Sequence, residues 1–303
     1  IRFLDRREPD RPFFLTMVFE APHSPFDPPA PYDRFYDNFT IPAPAQGDWN
    51  TPEDCPPDFD YTRIAGKYCD LSPEAIAESR RRYYGQITNI DYQLGRLFGA
   101  LKTRKLDNDT AIIFTSDHGE LLGDHGLFWK YCFLEGAARV PLIIRPPRTM
   151  EADRAVSVAT PVMTADIMPT LLNIVGLDIP VDVEGQSLLH KVNDDRIVCG
   201  ETGDSAFAVD RQHKYIYYQN GDIEQLFNPS QDPDDLHNLI NLPESVETRN
   251  QLQTALISYL EGHDSDKVKN GKLVSQNFKF DEKEALTKNS SACRGPMRFG
   301  SGY

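Results

Sequence analysis

Mostly apolar runs alternate with amphipathic stretches along the first 190 residues of the chain. Three of these runs, at 13–19, 110–115 and 141–145, have the length and the β-branched and aromatic content of buried β-strands. Strands that alternate with helices are typical of a mainly parallel sheet with helices on both faces. An α/β fold of this kind is therefore predicted for residues 1–190.

Two helices are predicted in the same part of the chain. The first begins after Ser72, since serine is favoured at the N-cap, proline at the first helical position and an acid in the first turn. It continues with one apolar stripe at spacings of three and four, formed by Ile87, Ile90, Leu94, Leu97 and Leu101. The second has Asp166 as its predicted cap and Gly176 at its C-terminal end, around Met168, Leu171, Leu172 and Val175.

The pattern changes after about Lys191. Asn220-Gly221 is a strong hairpin signal, and a small antiparallel sheet is predicted from short segments at 196–201, 207–210, 214–218 and 224–227. Residues 245–260 have the period of a helix that would pack on this sheet, and the polar tail that follows is expected to cover the surface. We therefore expect an α/β unit at 1–190 and a C-terminal subdomain at 191–303.

The net charge of −14 over 303 residues argues against broad binding to nucleic acids or membrane surfaces, because both need a cationic face. An anionic substrate would need a local positive charge. No apolar run reaches the ~20 residues that span a bilayer. The five cysteines, odd in number and without a C-x-x-C pair, leave the redox compartment open. Ile1 leads into charged residues and not into a signal-peptide pattern, so we expect a chain that was cleaved or truncated, or that lacks its front part.

Candidate chemistry follows the second predicted strand, in the segment 115–120 (TSDHGE). Ligands of parallel α/β sheets bind beyond the carboxyl ends of the strands, where Asp117 and His118 would lie. A carboxylate oxygen and a neutral imidazole nitrogen both suit a divalent cation. The simpler alternative, that Asp117 caps a turn and His118 is merely exposed, is favoured when the two residues are taken alone.

Lys130 and His23 are weaker candidates when each is taken alone. Apolar neighbours (GLFWK) would partly shield the Lys130 ammonium and strengthen its attraction for an anion, although an exposed surface lysine is the commoner explanation. Flanking prolines (APHSP) restrict the backbone at His23, so its ring could serve as a general acid; a structural loop histidine is the alternative. Since every one of these turns follows a predicted strand, we expect His23, Asp117–His118 and Lys130 to meet around one anion pocket. Residues 22–70 are predicted to form a long surface loop, and loops of this length are usually functional or disordered.

The order of these segments resembles that of the type I sulfatases of the alkaline phosphatase superfamily. The resemblance covers the chain to about Leu242. It rests on P-H-x-P at 22–25, YYGQI at 83–87, TSDHG at 115–119, GDHG at 123–126 with Lys130, and VPLI at 140–143. Later segments that are similar to the family are DIMPTLL at 166–172 and LFN, DP and LHNL between 226 and 239.

The resemblance implies hydrolysis of an organic sulfate ester, either a small molecule or a glycan. Asp117 matches the family's metal-binding carboxylate, and His118 stands where the family has an Asn or His at the metal or the sulfate. Lys130 matches the lysine that binds the sulfate and its bridging oxygen, and His23 matches the histidine that protonates the leaving alcohol. His125 is expected to be structural. Calcium is the implied metal, with magnesium or manganese as alternatives, and a location outside the cytoplasm is favoured.

Several parts of the family's pattern are missing from these 303 residues. Type I sulfatases use a cysteine converted to formylglycine within C-x-P-S-R or C-x-A-x-R, and neither motif surrounds Cys55, Cys69, Cys132, Cys199 or Cys293. The family's early paired aspartates and its upstream lysine and histidine are missing too. The formylglycine is therefore expected on a preceding segment, and these 303 residues alone are not expected to turn over substrate.

Three alternatives stay open. The chain could belong to a phosphonate monoester or phosphodiester hydrolase of the same superfamily, with manganese or zinc as the metal. It could belong to a non-catalytic relative that binds sulfated glycans. Finally, Asp117 and His118 could be structural residues that bind no metal.

Overall fold

The computed structural model describes residues 1–51, 54–59, 71–152 and 157–276. Within these ranges the α-helices are α1 (Arg2–Arg6), α2 (Pro73–Thr103), α3 (Glu135–Ala138), α4 (Ile167–Ile174) and α5 (Val246–Gly262). The strands are β1 (Ile112–Thr115), β2 (Leu142–Arg145), β3 (Val198–Thr202), β4 (Ser205–Val209), β5 (Lys214–Tyr218), β6 (Ile223–Phe227), β7 (Val268–Lys269) and β8 (Lys272–Leu273). Parts of the predicted loop at 22–70, and the predicted tail beyond 276, lie outside the described residues.

Helix α2 confirms the first predicted helix and its N-cap. The Ser72 hydroxyl oxygen accepts a hydrogen bond from the Ala75 backbone N–H, and Pro73 is the first helical residue. The apolar stripe is buried at its C-terminal end, where Leu101 packs with Leu4 of α1. None of the helices in the described part of the chain is long and apolar enough to cross a membrane.

Strands β1 and β2 confirm the strands predicted at 110–115 and 141–145, but they pair antiparallel, from Ile112 opposite Arg145 to Thr115 opposite Leu142. Their predicted burial is wrong, since none of their residues is buried and Ile143 is 61% exposed. The predicted strand at 13–19 is wrong: these residues make no strand pairing. Phe14 and Val18 are 75% and 81% exposed. An apolar run predicts burial only where a neighbouring strand is present to accept its backbone hydrogen bonds. The mainly parallel sheet with helices on both faces stays a prediction.

The C-terminal antiparallel sheet is confirmed, with strand order β3-β4-β5-β6. The predicted turn at Asn220-Gly221 joins β5 to β6, and Gly221 has a φ of 89°, a conformation that glycine adopts without steric cost. One face of the sheet packs on α5, the predicted helix, through a buried cluster that includes Ala206, Ala208, Tyr215, Tyr217, Leu226, Leu252, Leu256 and Leu260. The chain then continues into the small β7–β8 hairpin, which the sequence pattern did not predict.

The other face of this sheet supports the segment 121–137, which connects β1 to β2. Ile216, Tyr218 and Phe227 of the sheet belong to one buried cluster with Leu121, Leu127, Cys132, Leu134 and Ala137 of that segment and with Trp49 and Phe59 of the long loop. The C-terminal sheet is thus buried on both faces. It therefore supports, by packing, the residues that follow the TSDHGE segment.

Asp166 departs from its predicted role as the cap of the second predicted helix, because its side chain makes no capping bond to α4. The carboxylate is fully buried and accepts two hydrogen bonds from the Arg196 guanidinium, at 2.8 and 2.9 Å. It also accepts from the backbone N–H groups of Met163 and Gln186. Arg196 lies 30 positions after Asp166 in the sequence. A capping rule considers only neighbouring residues, so it could not identify this partner. Gly176 follows α4 with a φ of 72°, as predicted for its C-terminal end.

We predict that Arg196→Met lowers the free energy of unfolding by about 3–5 kcal/mol, because it leaves a buried carboxylate without its ionic partner. Urea denaturation followed by circular dichroism measures this change. Arg11→Met is the matched control, since Arg11 pairs with Glu8 at a site where both side chains are largely exposed. The control is expected to cost no more than about 1 kcal/mol. Equal losses in the two variants would contradict the prediction.

Candidate active site

Four side chains from three separate segments meet at one place on the surface. The Lys130 Nζ atom lies 2.9 Å from the His23 Nε2 atom, although the two residues are 107 positions apart. The His23 and His118 rings meet edge to face with centroids 5.8 Å apart, and the His118 Nε2 atom lies 3.7 Å from the Asp117 Oδ2 atom. The structure therefore brings together all four residues that the sequence predicted for the site. Their chemical roles stay predictions.

The His23 ring is oriented by its own backbone. Its Nδ1 atom lies 2.8 Å from the Ser24 carbonyl oxygen, and its backbone N–H donates to the Glu20 carbonyl oxygen at 3.0 Å. Because a carbonyl oxygen only accepts, the hydrogen bond assigns the ring proton to Nδ1. In the neutral ring, Nε2 then accepts from the Lys130 ammonium. An imidazole held in this way presents Nε2 to whatever lies beside Lys130.

Lys130 follows a closed loop that Glu120 holds together. The Glu120 carboxylate accepts hydrogen bonds from the backbone N–H groups of Trp129 and Leu122. Leu121 N–H donates to the Trp129 carbonyl oxygen at 3.0 Å. Burial raises the pKa of Glu120 above its usual value, against the opposing effects of these N–H groups and of the Lys130 and His23 charges. Glu120 was not predicted as a site residue, and its position directly after the DHG turn is its only signal in the sequence.

Asp117 and His118 offer two donors on one side of the site. The His118 Nδ1 atom lies 2.8 Å from the Gly119 carbonyl oxygen, so the ring proton is on Nδ1 and Nε2 is directed towards Asp117. The Asp117 side chain is 87% exposed. Slight burial acts to raise its pKa, but the His118 ring, two backbone N–H groups and Lys130 outweigh burial, and the pKa lies below its usual value. The carboxylate is therefore ionised at neutral pH, as a cation ligand must be.

These two residues can supply part of a metal site. An ionised carboxylate and an imidazole whose other nitrogen is bonded to a backbone carbonyl are a common ligand combination. Across 1–51, 54–59, 71–152 and 157–276, no group of three or more His, Cys, Asp or Glu side chains could hold a metal ion. The donor set therefore fits one side of a coordination shell, and a complete shell needs further ligands.

The acid–imidazole turn lies directly against α3. The Gly119 N–H donates to the Ala137 carbonyl oxygen at 2.7 Å, and the Glu120 N–H donates to the Gly136 carbonyl oxygen at 2.8 Å. A Cβ atom on Gly119 would lie 2.2 Å from the Gly136 oxygen, so only glycine allows this approach. The position of α3 therefore sets the position of Asp117 and His118.

The neighbouring GDHG segment is structural. The Asp124 carboxylate pairs with the buried Arg80 guanidinium and accepts from the Ala45 N–H at 2.7 Å. His125 is buried, and its Nδ1 atom accepts from the Gly47 N–H at 3.1 Å. Burial lowers the pKa of His125 below its usual value, against the opposing effects of Asp124 and Asp234. These contacts tie the long loop to the site and agree with the structural role that was expected for His125.

Comparison with known proteins points to one family. The family model described as Sulfatase matches residues 1–177. An arylsulfatase of Clostridium perfringens (strain 13 / Type A) is 36% identical over 287 residues, which cover 90% of this chain and 59% of the relative. A phosphonate monoester hydrolase from Silicibacter pomeroyi has a TM-score of 0.67 and 26% identity, and covers 86% of this chain and 59% of that chain.

A structure solved in complex with its substrate D-glucosamine-2-N,6-O-disulfate has a TM-score of 0.70 at 23% identity, and covers 88% of this chain and 68% of that chain. At this identity the similarity shows the fold alone, which combines α-helices and β-sheets. The chain spans about half the length of the curated relatives it matches, for example 59%, 52% and 48% of three of them. With the family model matching more than half of its residues, the chain belongs to the sulfatase family of the alkaline phosphatase superfamily.

Proposed function

We propose that this chain belongs to a metal-dependent sulfatase and carries the residues that bind the sulfate group and protonate the leaving alcohol. The observation that supports this most directly is the contact between Lys130 and His23 beside the Asp117–His118 pair. An ammonium next to an imidazole is suited to an anionic ester whose departing oxygen needs a proton. The similarity to an arylsulfatase supports the same assignment.

Lys130 would act on the sulfate group and on the bridging oxygen, and His23 would act on the bridging oxygen. The Lys130 ammonium would bind a sulfate oxygen and stabilise the negative charge that builds on the bridging oxygen. His23, protonated on Nε2, would donate that proton to the leaving alcohol as the bond from sulfur to the bridging oxygen breaks. The electron pair of that bond stays with the alcohol oxygen, and His23 returns to its neutral form.

Asp117 and His118 would hold a divalent cation, for which we propose calcium, with magnesium or manganese as alternatives. When bound, the cation supplies positive charge that polarises the sulfate group. The nucleophile is proposed to be a formylglycine supplied from outside these 303 residues, since no cysteine here lies in its motif. Residues 1–190 would be part of the catalytic α/β unit, with a mainly parallel sheet, and residues 191–303 the C-terminal subdomain.

The second candidate is phosphonate monoester or phosphodiester hydrolysis, favoured by the similarity to the Silicibacter pomeroyi enzyme.

We predict that the native protein cleaves an aryl sulfate with a higher kcat/KM than the matching aryl phosphodiester. Lys130→Met should lower kcat/KM for the aryl sulfate about 100-fold, because an ammonium at the developing charge is lost. Lys191→Met, at an exposed lysine, should leave kcat/KM unchanged. Faster cleavage of the phosphodiester would remove the sulfatase assignment, and sulfate binding without hydrolysis would favour the non-catalytic alternative.

A further prediction concerns the leaving group. His23→Asn should lower kcat/KM by about 100-fold for an alkyl sulfate and by less than about tenfold for a nitrophenyl sulfate, since nitrophenolate departs without a proton. Steady-state kinetics on the two esters measure the difference. His190→Asn, at an exposed histidine, is the control and should change neither rate. A similar loss on both esters would show that His23 is not the general acid.

The metal assignment predicts that Asp117→Ala lowers the calcium content of the purified protein, because an ionised carboxylate ligand is removed. Elemental analysis after dialysis against a limiting calcium concentration measures the content per chain. Asp178→Ala, at an exposed aspartate, should retain the wild-type content. Equal metal content in the wild type and Asp117→Ala would refute the role of Asp117.

A further inference from the structure

A buried cluster of three charges lies between the C-terminal sheet and α3. The Lys214 ammonium, on β5, lies 2.8 Å from a Glu135 carboxylate oxygen and 2.9 Å from the Asp235 Oδ2 atom. The side chains of Lys214, Glu135 and Asp235 are 4%, 14% and 1% exposed. Each residue comes from a different segment. The cluster therefore joins parts of the chain that no local interaction would bring together.

Glu135, the first residue of α3, is bonded to the other two members of the cluster. The Asp235 Oδ2 atom accepts the Glu135 backbone N–H at 2.6 Å, and the Glu135 side chain accepts from Lys214. The next two residues, Gly136 and Ala137, provide the carbonyl oxygens that accept the backbone N–H groups of Glu120 and Gly119. A short path of hydrogen bonds thus leads from Lys214 to the acid–imidazole turn.

Helix α3 is too short to hold its own position. It has four residues, and at its ends Ala137 and Ala138 N–H donate to the oxygen of the N-cap residue Leu134, while the C-cap residue Arg139 donates its N–H to the Glu135 oxygen. A helix of one turn depends on tertiary contacts, since its few internal bonds do not offset the entropy of ordering it. These contacts include the bond from Lys214 to the Glu135 carboxylate and the bond from the Glu135 N–H to the Asp235 carboxylate, and charge-assisted hydrogen bonds exceed neutral ones.

Burying these three charges costs desolvation free energy, which a purely structural role would not require. Burial raises the pKa of Asp235 to about 6 even though Lys214 and the Glu135 N–H act to lower it. Apolar side chains of similar volume often fill such a space at no loss of stability. A buried ionic cluster does, however, restrict its partners to one geometry, which apolar packing does less well.

We infer that Lys214, Asp235 and Glu135 are positioning residues, through which the C-terminal sheet fixes α3 and so the acid–imidazole turn of the site. The inference rests on the proposed function for its catalytic consequence. The local consequence, the ordering of the turn, is independent of it.

Lys214→Met tests the inference in the native protein, with a side chain of similar length and no charge. Hydrogen–deuterium exchange should show faster exchange of the Gly119 and Glu120 amides, by about tenfold relative to amides of α5. Lys267→Met is the matched control, because Lys267 is a second buried lysine of the same subdomain that pairs with Glu201 and makes no described bond to α3. The control should change exchange near Lys267 only. Gly119→Ala is the positive control, since it disrupts the turn directly.

Activity is the second readout. Lys214→Met should lower kcat for an aryl sulfate by roughly 10- to 100-fold per folded molecule, since a small displacement of the reacting groups has an effect of this size. Lys267→Met should leave kcat unchanged. Glu135→Gln replaces Lys214→Met if that variant does not fold, because it removes a charge at the less deeply buried end of the cluster.

The outcomes separate the inference from the proposed function. If the wild type hydrolyses no sulfate ester but Lys214→Met loosens the turn, the proposed function fails and the positioning of the turn stands. If the wild type is a sulfatase and Lys214→Met has wild-type exchange at Gly119 and Glu120, or wild-type kcat, the inference is overturned. Faster exchange throughout the molecule in Lys214→Met, as large in α5 as in the turn, would also overturn it.

Discussion

The two hydrogen bonds that Gly119 and Glu120 donate to α3 are the interaction on which the site depends. They hold the acid–imidazole turn at a distance that leaves no room for a Cβ atom at Gly119. Glu120 then binds the backbone N–H of Trp129, directly before Lys130. The turn and the loop are therefore one hydrogen-bonded unit, and a shift of α3 would move acid, imidazole and ammonium together.

The C-terminal sheet has a function beyond packing with its helix. One face is covered by α5, as expected for a small sheet that cannot stay folded alone. The other face packs on residues 121–137 and on Trp49 of the long loop, whose indole N–H donates to the Asp235 carbonyl oxygen at 2.7 Å. The sheet thus supports the loop that contains Lys130. The predicted division of the chain at about residue 190 stays a prediction, and buried contacts cross it.

The net charge of the protein and the charges at the site act on an anion over different distances. The net charge of −14 repels anions at a distance. At the site, the Lys130 ammonium lies 2.9 Å from the His23 Nε2 atom, and its charge acts on the Asp117 and Glu120 carboxylates. Coulomb interactions between exposed charges are screened within about 8–10 Å at physiological ionic strength, so the nearest groups decide whether an anion binds. A cation held by Asp117 and His118, as proposed, would add the positive charge that an anionic ester needs at short range.

Residues close in sequence determined much of this protein. The Ser72 cap, the period of α2, the Asn220-Gly221 turn and the four C-terminal strands each depend on local propensity and side-chain periodicity, and these predictions were confirmed. The sequence also pointed to His23, Asp117, His118 and Lys130 as neighbours, although the premise of three parallel strands was not met at β1 and β2. Only the tertiary structure decided that the apolar run at 13–19 is exposed, that Asp166 pairs with Arg196 and that Glu120 closes the Lys130 loop. The physical reason is that burial and ion pairing are properties of two partners, and the second partner is chosen by chain segments far away in sequence.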